Sequence, residues 1–199
     1  MECRFASDAE LDTVCDLLTS EFYDDPVLKY AFTGTDKEKR MKVMRGFFRI
    51  YVELAQKLGG VVLTENNAGT LVYFGPKLME MKEEDNQLID RQLREVCGDD
   101  YVTAVAFMDG LDRNHPRTPP HYYVFLIAVS RYSRRGGVLV EKLLRQLNTT
   151  LDREKLPCYA ECTTLGVRTF VRRFGYRDVG APLHIEGFPE VYPIWREPE

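Results

Sequence analysis

The sequence has little of what marks metalloproteins, exported proteins or membrane proteins. Its 199 residues include only three histidines, and its five cysteines are scattered without CxxC spacing. An odd number of scattered cysteines favours a reduced, cytoplasmic chain without a structural metal. No apolar run approaches the roughly 18 residues of a membrane span, and the N-terminus, MECRFASDAEL, lacks the basic and then apolar order of a signal peptide. We therefore expect a cytoplasmic protein that needs no metal and binds no membrane.

An excess of positive charge is also missing. The net charge is −4, which does not suit a protein that binds nucleic acid or an anionic membrane. The charge is uneven, since residues 131–153 hold six basic and two acidic residues, whereas residues 80–100 hold eight acidic and three basic ones. The first region suits a phosphorylated ligand, and the second gives a slight indication of a cationic amine.

The composition, 44% hydrophobic and 29% charged, is that of one soluble domain spanning residues 1–199. In its first half, Ser7 and Glu10 form a capping box ahead of a helix, after a short strand near residues 3–6. Asp25-Pro26 interrupts that helix, and a long helix follows from Met41 to Leu58. Residues 61–65 and 70–74 are predicted to form a hairpin, and residues 78–97 an acidic helix whose inward residues are Leu88, Ile89, Leu93 and Val96.

In the second half, HPRTPP (115–120) predicts a loop, and YYVFLIAV (122–129) predicts a strand buried on both faces. Residues 157–164 indicate another strand, and residues 165–174 a short helix. The tail, residues 176–196, predicts two strands joined through Gly187-Phe188-Pro189. These exposed tail strands offer a surface for a possible homodimer.

The stretch YSRRGGVLVEKLL (132–144) places two arginines and two glycines at the start of a helix. Glycines let the main chain approach a ligand closely, and N–H groups of a first helical turn lack partners within the helix, so the stretch suits a phosphate. The alternative is an exposed polar turn. Two known phosphate-binding designs do not fit, because Val138 and Leu139 stand where a P-loop has lysine and Ser/Thr, and the GxGxxG spacing of a dinucleotide fold is absent.

A third design fits better. HYYVFLIAVSRYSRRGG resembles the fourth strand and coenzyme A pyrophosphate loop of the GNAT superfamily of N-acetyltransferases, usually written Q/R-x-x-G-x-G/A. FVRRFGYRDVG (170–180) is similar to that family's "FYxxxGF" segment, and VYPIWREP to the closing strand of one of its branches. The resemblance covers nearly the whole chain, with residues 76–120 as a divergent middle segment. It implies an α/β fold with a mixed sheet, splayed fourth and fifth strands, and helices on both faces.

The resemblance also implies acetyl-CoA as co-substrate, an amine as acceptor and no metal. The main chain of the fourth strand would contact the pantetheine arm, and the loop with the following helix start would hold the pyrophosphate. The cofactor-binding residues it implies are Ile127, Ala128, Val129, Arg134, Arg135, Gly136, Gly137, Val138, Leu139, Thr164 and Phe170.

Acetyl transfer to an amine requires a base for the ammonium proton, and can use an acid for the leaving thiolate. The period of two places Tyr159, Glu161 and Thr163 on one face of the fifth strand. Glu161 is our candidate for the base, although a strand carboxylate paired with an arginine fits the sequence equally well. Tyr159 is a candidate for the acid. Tyr123 and His121 are weaker candidates, because strand aromatics are usually core residues and His121 is expected to be exposed beside the prolines.

Three departures from the family pattern bear on activity. Leu139 stands at the last glycine or alanine of the loop if no gap is allowed, and otherwise the loop is about three residues shorter than in the family. Val171 replaces the tyrosine of "FYxxxGF". Thr164 or Val167 stands where an asparagine is common. The sequence therefore leaves three hypotheses open: an acyl-CoA-dependent N-acetyltransferase, which we favour; a catalytically weak acyl-CoA sensor with the same fold; and a non-enzymatic interaction protein.

Overall fold

The chain alternates helices and strands. A computed structural model describes residues 2–133 and 137–199. The strands are β1 (Cys3–Phe5), β2 (Gly59–Thr64), β3 (Gly69–Phe74), β4 (Tyr122–Val129), β5 (Cys158–Cys162), β6 (Arg177–Asp178) and β7 (Tyr192–Arg196). The helices are α1 (Leu11–Phe22), α2 (Leu28–Ala31), α3 (Lys37–Leu58), α4 (Glu83–Cys97), α5 (Tyr101–Asn114), α6 (Val138–Glu154) and α7 (Leu165–Val171).

The strands form one mixed sheet in the order β1-β2-β3-β4-β5-β7-β6. Strands β4 and β5 are parallel, and each other neighbouring pair is antiparallel. Helices α1 to α5 contribute to an apolar cluster on one face of the sheet, and α6 and α7 to a second cluster on the other face. The predicted α/β class, with a mixed sheet and helices on both faces, is confirmed.

Local sequence signals account for the ends of several elements. The backbone N–H and hydroxyl of Ser7 both donate to Glu10 Oε2, which forms the predicted capping box before α1. The Asp36 carboxylate accepts the N–H of Lys39 and caps α3. Gly137, with φ of +75°, immediately precedes α6, and this left-handed conformation suits glycine.

Several details differ from the sequence predictions. Residues 101–114 form α5, which the sequence analysis did not identify. Leu88 is 49% exposed, so its predicted inward position is wrong, while Leu93 is buried as predicted. Strand β4 is not buried throughout, because Phe125 and Ile127 remain partly exposed. The prediction that His121 is exposed is also wrong, since only 3% of it is exposed.

Candidate active site

The site begins where β4 and β5 separate. Along β4, Val72 of β3 faces Leu126 but the next residue, Tyr73, faces Val124, so Phe125 is an extra residue in β4. Such a bulge bends a strand and interrupts its pairing. The β4–β5 ladder runs from Tyr122 opposite Cys158 to Val124 opposite Ala160, and within the described residues it continues no further. The two strands therefore splay at the bulge, as the resemblance implied.

The splayed strands open into a cavity of about 790 Å³. Its lining includes β4 from Tyr123 to Val129, β5 from Ala160 to Cys162, and the following Thr163 and Thr164. Helices on both faces of the sheet complete the wall, so the cavity passes through the gap between β4 and β5. A channel of this shape can hold a ligand that extends from one face to the other.

On the α6 side, most of the predicted cofactor-binding residues come together. Ile127, Ala128, Val129, Gly137, Leu139, Thr164 and Phe170 all line the cavity. Val138 does not, and 52% of it is exposed. Arg134, Arg135 and Gly136, which complete the predicted pyrophosphate loop, lie outside the described residues.

Gly137 closes part of the wall against α7. A Cβ at this position would lie 2.4 Å from the Phe170 ring, so only glycine fits in this arrangement. Leu139 points into the core below α6 and is 7% exposed, which leaves its main chain as the part available to a ligand. Thr164 caps α7 by accepting the N–H of Val167, so it has a structural task in addition to lining the cavity.

On the opposite face, Glu161 projects into the cavity beside Tyr123 and Tyr159. Tyr159 belongs to the apolar cluster of α1 to α5, whereas Cys158, Ala160 and Cys162 belong to that of α6 and α7. The alternation predicted for β5 is therefore observed.

The Glu161 carboxylate has the phenols of Tyr123 and Tyr159 as its side-chain partners, and one of its two oxygens has no partner among the described residues. Its Oε1 is buried and makes no hydrogen bond within the described part of the chain, and no arginine there pairs with it. Burial raises the pKa of Glu161 to about 7, while the phenols of Tyr123 and Tyr159 partly oppose that rise. The arginine-paired alternative left open by the sequence is therefore not what the structure shows.

A second buried polar atom without a partner, Arg40 Nη2, is a different case. The Arg40 guanidinium lies over the Tyr23 ring, 4.4 Å from its centroid, and its Nε donates to the carbonyl of Phe32. Arg40 does not line the cavity. Its environment is that of a cation packed on an aromatic ring.

The two tyrosines hold different positions around Glu161. Tyr123 lines the cavity, whereas Tyr159 is 1% exposed and lies behind it. Their ring centroids are 5.9 Å apart, because the register places Tyr123 opposite Tyr159. Burial is the main cause that raises the pKa of each phenol above its ordinary value, so both remain protonated at neutral pH.

His121 belongs to a buried pair that the sequence did not reveal. Its Nδ1 lies 2.7 Å from the carbonyl oxygen of Pro119, and its Nε2 lies 2.9 Å from Nε2 of His115. A carbonyl can only accept a hydrogen bond, so Nδ1 of His121 carries the proton of the neutral ring. Nε2 of His121 therefore accepts a hydrogen bond from Nε2–H of His115. The His115 ring packs edge-on against Tyr123 and Tyr159, 4.6 and 4.9 Å between centroids, and thus supports both residues beside Glu161.

The tyrosine of the family's "FYxxxGF" segment is replaced by Val171, which is buried and lines the cavity. The next phenol along the chain, Tyr176, is fully buried and its hydroxyl donates to Cys158 Sγ. Burial raises the pKa of Tyr176 well above its ordinary value. Val171 has no proton to give, whereas Tyr176 lines the cavity with its hydroxyl donated to Cys158.

Neither a metal centre nor a membrane segment is found within residues 2–133 and 137–199. There, no group of three or more histidine, cysteine or acidic residues is arranged to hold a metal ion. No helix in that part of the chain combines the length and apolar character needed to cross a bilayer.

Comparison with known proteins supports the fold. No protein family model and no curated protein sequence matches the chain. A solved structure titled histone acetyltransferase HPA2 and related acetyltransferase, from Corynebacterium glutamicum, has a TM-score of 0.74 at 19% identity, over 100% of this chain and 96% of that one. Arylalkylamine N-acetyltransferase 2 from Aedes aegypti has a TM-score of 0.66 at 12% identity, over 100% and 99%.

A polyamine N-acetyltransferase from Drosophila melanogaster, described as forming N-acetylagmatine, has a TM-score of 0.58 at 17% identity, over 98% of each chain. These identities are low, so the similarity is one of fold. The chain has the fold of the GNAT acetyltransferases, and the resemblance noted in the sequence is confirmed at that level.

Proposed function

We propose that the protein is an N-acetyltransferase that transfers an acetyl group from acetyl-CoA to an amine. The observation that carries the proposal is the cavity between the splayed strands, whose wall includes a buried carboxylate, Glu161, with one oxygen that makes no hydrogen bond within the described residues. The acetyltransferase fold supports the same reaction class. A fold alone does not define chemistry, so the argument depends on the residues of this cavity.

The residues present suit acetyl-CoA. Strand β4 lines the cavity from Phe125 to Val129, and Gly137 lies in the same wall at the start of α6. We assign the pyrophosphate to this helix start and to Arg134 and Arg135, since helix N-termini and guanidinium groups both bind phosphate. Bound acetyl-CoA would supply the acetyl group as a thioester.

Glu161 then has a definite task. With its pKa near 7, it can accept a proton from an ammonium group at neutral pH and leave the amine nitrogen free to attack. Tyr159, enclosed behind it, fits a positioning role better than that of the acid. The nitrogen loses two protons during the reaction: one is released to solvent, and the other neutralises the departing thiolate. The protonated Glu161 carboxyl can deliver that proton, which would make the tyrosine missing at Val171 unnecessary.

The catalytically weak sensor remains the alternative, because Val171 removes the family's usual acid. Calorimetry with acetyl-CoA, followed by an assay of thiol release in the presence of amines, separates the two. We expect both binding and amine-dependent release of thiol, whereas binding without turnover would identify a sensor. Replacing Arg134 and Arg135 together by alanine should weaken acetyl-CoA binding about tenfold at low salt, and unchanged affinity would remove the phosphate assignment.

A further inference from the structure

The part of the cavity beside Glu161 has a wall that differs from the α6 side, and we call it the acceptor arm. Its wall comes from α1, α3, α5 and β4, through Phe22, Phe47, Phe48, Phe107, Met108 and Phe125. Phe48 and Phe107 are buried, and Phe107 packs against Phe188 at 5.1 Å between ring centroids. The arm is therefore mainly aromatic.

Four carboxylates line the described part of the cavity, and among them Glu161 alone keeps a buried oxygen without a hydrogen bond. Asp25 accepts the N–H groups of Val27 and Leu28 through Oδ1 and the hydroxyl of Thr163 through Oδ2. These hydrogen bonds use both carboxylate oxygens of Asp25 and fix the segment between α1 and α2 against the end of β5.

The other two, Glu21 and Asp24, are each paired with a basic residue. Glu21 accepts the backbone N–H of Arg131 and lies 3.7 Å from its guanidinium. Asp24 is exposed and lies 3.4 Å from Lys29 Nζ, so the cavity opens to solvent beside it. The remaining carboxylate, Glu161, faces the interior of the cavity. It can therefore pair with the ammonium group of one bound amine.

Positive charge is scarce in the same wall. Among the described lining residues, Arg131 alone is basic, and its Nη2 already donates to the carbonyl of Ser20. A carboxylate on the acceptor would thus lack a cation, and a second ammonium would lack a carboxylate. An unmatched charge in an apolar site is strongly disfavoured, because it loses its hydration without gaining a partner of opposite charge.

We propose that the acceptor is a primary amine with an apolar, preferably aromatic, body and no second charge. The inference depends on the proposed function and narrows it to one substrate class. The ammonium meets Glu161, and the apolar body occupies the acceptor arm between α3 and α5. Met108 is the adaptable part of that wall, because its unbranched side chain can adjust to ligands of different shape.

Thiol release from acetyl-CoA with three matched amines tests the class: phenethylamine, putrescine and phenylalanine. We expect kcat/KM for phenethylamine to exceed that of the other two by about 100-fold, because each of these adds one unmatched charge. A preference for putrescine or phenylalanine would overturn the substrate class and leave acetyl transfer standing. Acetyl-CoA binding without release in the presence of any amine would overturn the proposed function itself.

A variant and a second donor sharpen the test. Met108→Glu adds a carboxylate to the wall, so it should lower kcat/KM for phenethylamine at least tenfold and raise it for putrescine. Met81→Glu, at a half-buried position outside the cavity, is the matched control and should leave the preference unchanged. If octanoyl-CoA reacts faster than acetyl-CoA, the arm holds an acyl chain, and the proposal is wrong.

Discussion

Glu161 and Arg196 are buried ionisable residues on the neighbouring strands β5 and β7, and they differ in how fully their polar atoms are hydrogen-bonded. Arg196 is 3% exposed, and its two Nη atoms donate to both oxygens of Asp152 at 2.8 and 3.1 Å. Glu161 keeps a buried oxygen without any hydrogen bond in the described part of the chain. A buried charge kept for structure is normally paired, so the contrast marks Glu161 as the functional group.

Removing the Glu161 carboxylate should give the largest effect. Glu161→Gln keeps the size of the side chain but cannot accept the ammonium proton, so kcat should fall about 100-fold or more. Steady-state thiol release gives the rate, and calorimetry should show unchanged acetyl-CoA affinity. Glu53→Gln, the same change at an exposed glutamate of α3 that pairs with Arg49, is the control. Wild-type activity in Glu161→Gln would rule out its role as the base.

Breaking the paired group should affect stability instead. Asp152→Ala leaves the Arg196 guanidinium buried without its bidentate partner, which should lower the free energy of unfolding by about 3 kcal/mol. Urea unfolding measures this loss, and the activity per folded molecule should remain near the wild-type value. A loss of activity without a loss of stability would reverse the roles assigned to the two groups.

The pH dependence of stability separates the two buried titratable clusters. Burial raises the pKa of Glu161 from 4.5 to about 7, so the folded state binds more protons between these values. Its contribution is fully present below pH 4.5 and is lost as the pH rises through 7. Compared with wild type, Glu161→Gln should gain roughly 2 to 3 kcal/mol in free energy of unfolding at pH 8, and little at pH 4.

His115 has the opposite effect on the pH dependence of stability. Burial, with help from His121, lowers the pKa of His115 to about 4, so its contribution is present above 6.5 and is lost as the pH falls toward 4. Once Glu161 is replaced, the loss of stability between pH 6.5 and 4 should become steeper. Urea unfolding at several pH values measures both slopes, and equal curves for wild type and Glu161→Gln would contradict the raised pKa.

The smallest effect concerns the glycine beside the proposed cofactor site. Gly137 and Gly180 both have φ near +70°, but a Cβ meets Phe170 at Gly137 and nothing within 4 Å at Gly180. Alanine should cost about 1 kcal/mol of stability at either position because of the left-handed backbone. Gly137→Ala should lose about 1 kcal/mol more and also weaken acetyl-CoA binding. Equal stability and affinity in the two variants would show that the Phe170 contact is unimportant.

Much of the fold could be predicted from local sequence signals. The capping box at Ser7, the helical spacing of α3 and the apolar run of β4 each depend on neighbouring residues alone. Helix α5 was missed although Ala104, Phe107 and Leu111 recur at helical spacing and are all buried. Its pattern was available, but the exposed Val102 and the central Gly110 weaken it.

The site was less predictable, since it depends on register. Period-two alternation placed Tyr159 and Glu161 on one face, but the pairing of Tyr123 with Tyr159 follows from the parallel register of β4 and β5. The bulge at Phe125 is a property of strand pairing and leaves no signature in the residues. The burial of His121 was not predicted because its partner, His115, directly follows α5, a helix that the sequence predictions did not include.

The pH profile of kcat/KM for thiol release from acetyl-CoA, with phenethylamine as acceptor, tests the central claim most directly. If the buried Glu161 carboxylate is the base, kcat/KM of the wild type should rise with pH around an apparent pKa of about 7. Glu161→Gln should lose both this inflection and the rate. An inflection near 7 at an undiminished rate in Glu161→Gln would contradict the account.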